Sequence, residues 1–484
     1  MTATPQGAST SSPSNATGRG GLDTKAIIIT SLMVFSMFFG AGNLIFPPEV
    51  GVGAGTNFWP GIVGFLIAGV ALPVIAIIAV AISGFGVRDL ANRGGALFGV
   101  VFSALVYLSI GVFYALPRTG AVSMEIAITP LTGLDSTLAS FIFNLLFFGV
   151  SLALCWAPNA IPDTLGKFLT PALVALLAIL ITLTMFRFER VPAAPAEDYA
   201  ESPAVTGLLN GYLTMDALAG LAFGIVIISS LRSKGFKPGP TLVRSTIITG
   251  TIAGVLLAAI YLGLALIGQT IPDAGRFDGG AALLAEAAHR ALGTPGQLAL
   301  AAIVILACLT TAVGLISATS EFFHELVPAV SYHAWATIFA VGSIAMATQG
   351  LSQVLAIAAP VISFLYPPAI TLMILSIIEP LFRRQFSFHW TYRVAIWVAV
   401  VWSAISVTVS LGAEALAPVV AWAPGQSNDV GWALPTIAAA LVGLALDFAT
   451  RNSRPLELSA AAQAARREHD NADAHEEVNA TVRR

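Results

Sequence analysis

The chain has 484 residues, of which 56% are hydrophobic and 10% are charged, and its net charge is −3. Soluble domains carry about 25% charged residues, so these values exclude an ordinary soluble globular protein. The charges cluster between long apolar runs, which is the pattern of a polytopic membrane protein. No basic patch with interleaved aromatic residues is present, so the sequence predicts no nucleic-acid partner.

Residues 1–24 are rich in Ser, Thr, Gly, Pro and Ala, and they predict a disordered cytoplasmic tail rather than a signal peptide. Apolar runs of about 20 residues then predict transmembrane helices. Twelve spans are expected, at about 25–47, 57–83, 96–127, 137–156, 165–186, 205–231, 241–268, 296–320, 332–349, 351–378, 391–411 and 430–449. Residues 279–292 predict a short amphipathic helix at the surface, and residues 451–484 form a second polar tail.

Lysine and arginine are distributed unevenly along this arrangement. With the N-terminus inside, eighteen of the 23 basic residues fall on the cytoplasmic side and four fall on the opposite side. The remaining one, Arg118, lies within the third span. Because short cytoplasmic loops carry the excess of positive charge, the bias predicts a plasma-membrane protein with both termini in the cytoplasm.

The first span contains helix breakers where an ordinary span has Leu, Ile or Val: FFGAGN at 38–43 and a Pro-Pro pair at 47–48. Such a break is tolerated in a membrane only where the freed backbone groups face protein, water or a ligand. The half-helix that begins near Gly42 offers N–H groups to an anion, and the one that ends near Phe39 offers carbonyls to a cation. Asn43 adds a side-chain oxygen for a cation. A zwitterionic amino acid fits such a pair of sites.

The sixth span carries a second glycine cluster at 220–224, five spans after the first. Five is an odd number, so the second unit enters the membrane from the opposite side, as in inverted-topology transporters. The alternative is that the glycines only allow close contact between helices. The repeat divides the chain into a first unit at 25–190, a linker at 191–204, a second unit at 205–380 and two further spans at 381–450.

Several polar residues inside the spans are candidates for function. The hydroxyls of Thr310 and Thr311 can bind a hard cation, or can simply bond to the preceding helical turn. Asp216 can bind a substrate ammonium, a cation or a proton, and its alternative role is a structural cap. Arg118 and Glu125 lie seven residues apart, on one helix face, where they can form an ion pair or sit near the outer end in water.

Aromatic and apolar residues near these positions suggest a hydrophobic side chain on the substrate. The residues expected to meet it are Phe39, Tyr107, Tyr114, Leu218 and Phe223.

Three stretches carry a family resemblance: SMFFGAGNLIFPP at 36–48, ALPRTG at 115–120 and GYLTMDALA at 211–219. They closely resemble the bacterial branched-chain amino acid carrier family, the BrnQ type of leucine–isoleucine–valine:cation symporters. The resemblance covers residues from about 25 to 448. It implies import of these amino acids driven by Na⁺ or H⁺, and an architecture of the LeuT-like superfamily.

The resemblance also implies site residues. A sodium site would use the carbonyls of Ser36 and Phe39 together with Ala307, Thr310 and Thr311. The expected substrate-binding residues are Gly40, Ala41, Gly42, Asn43, Asp216, Gly220 and Phe223. Asp216 departs from the apolar residue that the distant relatives have in this register.

Together these observations predict an all-α polytopic fold of twelve transmembrane helices. The architecture is a LeuT-like 5+5 inverted repeat with broken first and sixth helices, plus two extra C-terminal helices. The predicted function is Na⁺ symport of branched-chain amino acids with alternating access, and H⁺ coupling through Asp216 or Glu125 is the alternative. A channel is disfavoured because the predicted site is asymmetric within one chain, and a membrane-embedded enzyme is disfavoured since no HExxH or paired-carboxylate motif occurs. The expected partners are the amino-acid substrate and the bilayer, and the sequence specifies no oligomeric state.

Overall fold

A computed structural model of the protein describes residues 24–83, 86–156, 170–191, 193–237, 239–271, 277, 279–382 and 387–450. The predicted tails lie outside these residues, apart from Thr24. All regular elements in the described ranges are helical. The α-helices are α1 (Thr24–Phe38), α2 (Ala41–Ala54), α3 (Phe58–Leu66), α4 (Leu72–Ser83), α5 (Val87–Ala91), α6 (Ala96–Leu108), α7 (Ala115–Val122), α8 (Thr129–Thr132), α9 (Thr137–Cys155), α10 (Thr170–Arg187), α11 (Glu197–Glu201), α12 (Pro203–Tyr212), α13 (Asp216–Ser233), α14 (Pro240–Gly268), α15 (Gly279–Leu292), α16 (Thr294–Leu326), α17 (Tyr332–Ala347), α18 (Leu351–Phe382), α19 (Trp390–Ser410), α20 (Ala417–Val420) and α21 (Ala433–Thr450).

The described residues contain ten helical stretches that are long and apolar enough to cross a membrane, judged by length and composition. Two shorter apolar helices, α1 and α17, accompany them. The amphipathic helix predicted at 279–292 is confirmed as α15, which buries one apolar face against its neighbours. The prediction of an all-helical membrane fold is therefore correct.

The break predicted in the first span separates α1 from α2 at residues 39–40. The expected end of that span near 47 is wrong, because α2 continues through Pro47 and Pro48 to Ala54. Tertiary packing stabilises this proline-containing helix. A Cβ built on Gly51 would lie 1.9 Å from the carbonyl oxygen of Ala265 in α14, so the two backbones are in direct contact.

The break in the sixth span lies at 213–215, between α12 and α13, and Met215 adopts a left-handed φ of 63°. The predicted location at the second glycine cluster is wrong, since Gly220 and Gly224 lie inside α13. A Cβ on Gly220 would lie 2.9 Å from the carbonyl oxygen of Pro73, and one on Gly224 would lie 2.6 Å from Val80. These glycines let α13 approach α4 closely, which was the alternative interpretation.

The third membrane stretch is irregular on both sides of α7. It passes through π-helical turns at 109–113 and 123–128, and the backbone of Gly111 and Tyr114 is not helical. Such π turns are rare and concentrate at functional sites. All eight residues of α7 are buried, so the irregular turns present a short helix to the middle of the bundle.

Two buried carboxylates fix the C-terminal helices to the bundle. Glu379 of α18 pairs with Arg93, whose Nη1 also donates to the hydroxyl of Tyr392 at 2.7 Å. Asp447 of α21 accepts the backbone N–H groups of residues 389–391 at distances of 2.8–3.0 Å. Asp447 thereby satisfies free donors at the start of α19, which a helix cannot satisfy by itself.

Candidate functional site

Asn43, in the first turn of α2, connects the two helix breaks. Its Oδ1 accepts the N–H of Gly40 at 3.1 Å and so caps α2. Its Nδ2 donates to Oδ2 of Asp216 at 2.6 Å and also contacts the hydroxyl of Tyr261. The oxygen that we expected to bind a cation therefore holds the backbone of the break. The amide nitrogen links that break to the sixth span.

Asp216 is the first residue of α13, where the free N–H groups and the helix dipole favour a negative charge. Its Oδ2 accepts a second hydrogen bond, from the hydroxyl of Tyr261 at 2.7 Å. Asp216, Asn43 and Tyr261 are all buried. Sequence reasoning missed Tyr261, because a single tyrosine in the apolar helix α14 carries no signal of its partners.

Arg118, on α7, is buried and holds the end of α12. Nη1 donates to the carbonyl oxygen of Leu213 at 2.6 Å, and Nη2 donates to that of Thr214 at 2.9 Å. Nη1 also donates to the hydroxyl of Tyr114. The alternative of an ion pair with Glu125 is wrong, since Glu125 is exposed and Arg118 is directed into the bundle.

Oxygen atoms from α1 and α16 cluster beside the first break. The carbonyl oxygen of Ser36 accepts hydrogen bonds from Oγ1 of Thr310 at 3.1 Å and of Thr311 at 3.2 Å. Thr310 also donates to the carbonyl oxygen of Ala307 at 2.9 Å. Four of the five residues predicted for the cation are thus adjacent, and their oxygens are the ligands that hard cations prefer.

The fifth residue, Phe39, contributes its ring to the aromatic surroundings of the break. The Phe39 ring lies 6.3 Å from that of Tyr261, and the Phe38 ring lies 5.5 Å from that of Phe223. Tyr107 instead stacks on Phe322 at 4.1 Å. Phe39 and Phe223 therefore lie near the breaks, as predicted, whereas Tyr107 packs elsewhere.

Gly40, Ala41, Gly42 and Leu218 are buried close to the breaks, whereas Gly220 packs on α4. A Cβ on Gly40 would lie 2.7 Å from Oγ1 of Thr311, and one on Gly42 would lie 2.7 Å from the guanidinium of Arg118. Both glycines therefore permit these close contacts, since a Cβ at either position would force the facing side chain to shift.

A cavity of about 240 Å³ ends at the sixth-span break. Leu213 lines it, and so does the pair of Tyr212 and Tyr366, whose rings lie 4.3 Å apart. Its other walls come from α12, α18, α19 and the segment before α21, at Leu209, Asn210, Ala359, Ile362, Ser363, Pro367, Trp402, Ser403, Ser406, Gln426, Asp429 and Trp432. Leu213 thus connects the cavity to Arg118, which donates to its carbonyl oxygen.

Comparison with known proteins identifies relatives over nearly the whole chain. A family model described as "Branched-chain amino acid transport protein" matches residues 23–450. The branched-chain amino acid permease BrnQ of Corynebacterium glutamicum is 53% identical over 427 residues, covering 88% of this chain and 96% of the relative. The permease BraB of Bacillus subtilis is 38% identical over 438 residues, covering 90% and 98%.

A solved structure shares the fold. It is Mhp1, a nucleobase-cation-symport-1 family transporter, in a closed conformation with bromovinylhydantoin bound. The TM-score is 0.58 at 16% identity, and the match covers 90% of this chain and 94% of Mhp1. The LeuT-like architecture expected from the resemblance is consistent with this neighbour.

The curated relatives are named as permeases and carriers, so a membrane transporter, rather than an enzyme, is the correct class. The chain belongs to the branched-chain amino acid transport protein family.

Proposed function

We propose that this protein imports leucine, isoleucine and valine across the plasma membrane by Na⁺ symport. The observation that carries the proposal is the oxygen cluster of Ser36, Thr310 and Thr311 beside the broken first span. The cluster joins the end of α1 to α16. It lies next to Gly40, where a Cβ would come within 2.7 Å of Oγ1 of Thr311. Binding of a cation there would therefore change how α1 sits against α16, which is the kind of coupling a symporter requires.

The same proposal includes twelve spans with both termini in the cytoplasm. In it α1 and α2 form the first span, α12 and α13 form the sixth, and α17 is the ninth. The breaks at 39–40 and 213–215 then occupy equivalent positions in two units of opposite orientation, as expected for an inverted repeat. Because Asn43 bonds to Asp216 across these breaks, motion of one unit against the other would open the site.

The substrate class follows from the chemistry of the two breaks. A zwitterion finds N–H groups and Arg118 at one end and the carboxylate of Asp216 at the other. The rings of Phe38, Phe39 and Phe223 offer an apolar surface for the side chain. A branched aliphatic side chain suits that surface, whereas a charged side chain would be buried there without a partner.

Uptake of labelled isoleucine by the purified protein in proteoliposomes tests the coupling ion. An imposed inward Na⁺ gradient, with equal pH on both sides, should drive accumulation above the level seen with K⁺ in place of Na⁺. Unlabelled leucine and valine should compete, and lysine should not. Equal uptake with Na⁺ and K⁺ would refute Na⁺ coupling.

The proposed cation site has a matched control within the same helix. Thr310→Ala combined with Thr311→Ala should raise the Na⁺ concentration needed for half-maximal uptake. Thr319→Ala should leave that concentration unchanged, because within the described part of the chain the Thr319 hydroxyl donates to the carbonyl oxygen of Leu315, at 2.6 Å, in its own helix. An unchanged Na⁺ requirement in the double variant would reject this site.

H⁺ coupling is the second candidate, and the buried carboxylate of Asp216 favours it. A proton on Asp216 would weaken the hydrogen bonds from Asn43 and Tyr261 and so loosen the contact between the breaks. In the same proteoliposomes, an inward pH gradient without Na⁺ would then drive uptake. Asp216→Asn would abolish that response.

A further inference from the structure

Arg118 is a buried cation placed against the positive end of a helix. Its guanidinium lies so close to Gly42 that a Cβ there would come within 2.7 Å of Cζ, Nη1 and Nη2. Gly42 belongs to the first turn of α2, whose N–H groups and dipole carry partial positive charge. Two positive features thus meet at the first break, and an anion would be attracted by both.

The hydrogen bonds of Arg118 leave part of its guanidinium free. Among the described residues its hydrogen bonds go to Leu213, Thr214 and Tyr114, which are all neutral acceptors, and Nε has no partner. An arginine has five N–H donors, so these three bonds leave the Nε–H and one N–H of Nη2. Nε and Nη2 form one edge of the planar guanidinium, which is the fork that binds a carboxylate through two parallel hydrogen bonds.

Asp216 lies within range of the charge of Arg118, but the two side chains do not form an ion pair. The ion pairs among the described residues join Arg93 to Glu379 and Arg290 to Glu286. Asp216 instead accepts from Asn43 and Tyr261. A buried positive and a buried negative group therefore flank the same two breaks without neutralising each other directly. A molecule with a carboxylate at one end and an ammonium at the other would neutralise both.

We propose that Arg118 binds the carboxylate of the transported amino acid, on the free Nε–Nη2 edge and beside the first turn of α2, while the ammonium is directed to Asp216. This inference rests on the proposed function and adds the recognition of the substrate's two charges. It also gives Arg118 a second role. The residue that recognises the carboxylate also holds the carbonyls of Leu213 and Thr214 at the sixth-span break.

The binding constants of leucine and leucinamide to the full-length protein in nanodiscs, measured by calorimetry, test the proposal. The two ligands share the ammonium and the side chain, but leucinamide has a neutral amide in place of the carboxylate. The unmodified protein should bind leucine about 100-fold more tightly, as expected for a two-bond contact between charged groups. Arg118→Met should reduce this preference below about 5-fold, and Arg118→Lys, which keeps a charge without the fork, should give an intermediate value.

A purely structural role for Arg118 gives a different result, because a damaged site would weaken leucine and leucinamide equally and leave their ratio unchanged. That outcome would overturn the proposal. The unmodified protein provides a test that requires no variant: equal binding of the two ligands would also overturn it. Arg290→Met is the matched control, since among the described residues Arg290 pairs with the nearby Glu286 on α15, and this variant should keep the original ratio. If the protein binds leucine but shows no uptake, the proposed transport function is refuted. The ratio of leucine to leucinamide binding would still test the role of Arg118.

Discussion

Replacing Gly42 with alanine adds one methyl group at the contact between the first break and Arg118. The new Cβ would lie 2.7 Å from three guanidinium atoms. Non-bonded heavy atoms of this kind prefer separations of about 3.5–4.0 Å, so the guanidinium must retreat by roughly 1 Å. Its bond to the carbonyl oxygen of Thr214, now 2.9 Å, would lengthen to about 3.9 Å, beyond hydrogen-bond range.

The cost follows from the bond that is lost. A hydrogen bond to a charged group contributes about 1.5–3 kcal/mol, whereas an alanine in place of a helical glycine gains at most about 1 kcal/mol. The difference is about 0.5–2 kcal/mol, and because the displaced guanidinium is the proposed carboxylate-binding group, we expect Gly42→Ala to lower the affinity for isoleucine by about 2- to 30-fold. The measurement is the initial rate of uptake against isoleucine concentration in proteoliposomes.

Gly149→Ala is the matched control, because the space around Gly149 is open and it lies on the exposed face of α9. This variant should keep the original KM. The cause of the Gly42→Ala effect can be isolated by comparing thermal unfolding midpoints with and without Arg118→Met. Gly42→Ala should lower the unfolding midpoint by a smaller amount when the guanidinium is absent. Equal costs in both backgrounds, or an unaltered KM for Gly42→Ala, would refute the reasoning.

Three further predictions concern other contacts. Gly40→Ala places a Cβ 2.7 Å from Oγ1 of Thr311 and should raise the half-saturating Na⁺ concentration several-fold in uptake assays; an unchanged value would contradict it. Glu379→Gln leaves Arg93 buried without its counter-ion and should cost about 3–5 kcal/mol in thermal unfolding, whereas adding Arg93→Met should recover most of the loss. A double variant as unstable as the single one would argue against this pair. Asp447→Ala removes the acceptor of three N–H groups and should lower the unfolding midpoint without changing the KM for isoleucine, and an altered KM would contradict a purely structural role.

The first break could be predicted from sequence because its cause is local. Gly40 and Gly42 are recognisable helix breakers, and Asn43 caps the helix that follows. A broken sixth helix was expected, but the position of its break could not be predicted, since Leu213, Thr214 and Met215 include neither glycine nor proline. Its stabilisation comes from Arg118, which is distant in sequence. Such a break depends on tertiary contacts and leaves no local pattern.

Of the two alternatives for Arg118 and Glu125, the ion pair fails for a geometric reason. A regular α-helix brings residues seven apart onto one face, which suggested Glu125. The π-helical turn at 123–128 inserts extra backbone and rotates the following residues relative to α7. Glu125 is therefore exposed, while Arg118 stays in the core. The candidate cation residues were easier to predict, because Thr310 and Thr311 are adjacent in sequence.

The cap formed by Asp447 has a consequence for biosynthesis. The N–H groups of residues 389–391 receive their acceptor from a residue 56–58 positions further along the chain. While the ribosome is still producing α19, the start of that helix has no access to this carboxylate. The helix therefore docks with its end satisfied only after α21 has emerged from the ribosome. A nascent chain stopped before Asp447 should remain associated with the insertion machinery, whereas one that includes it should be released into the bilayer.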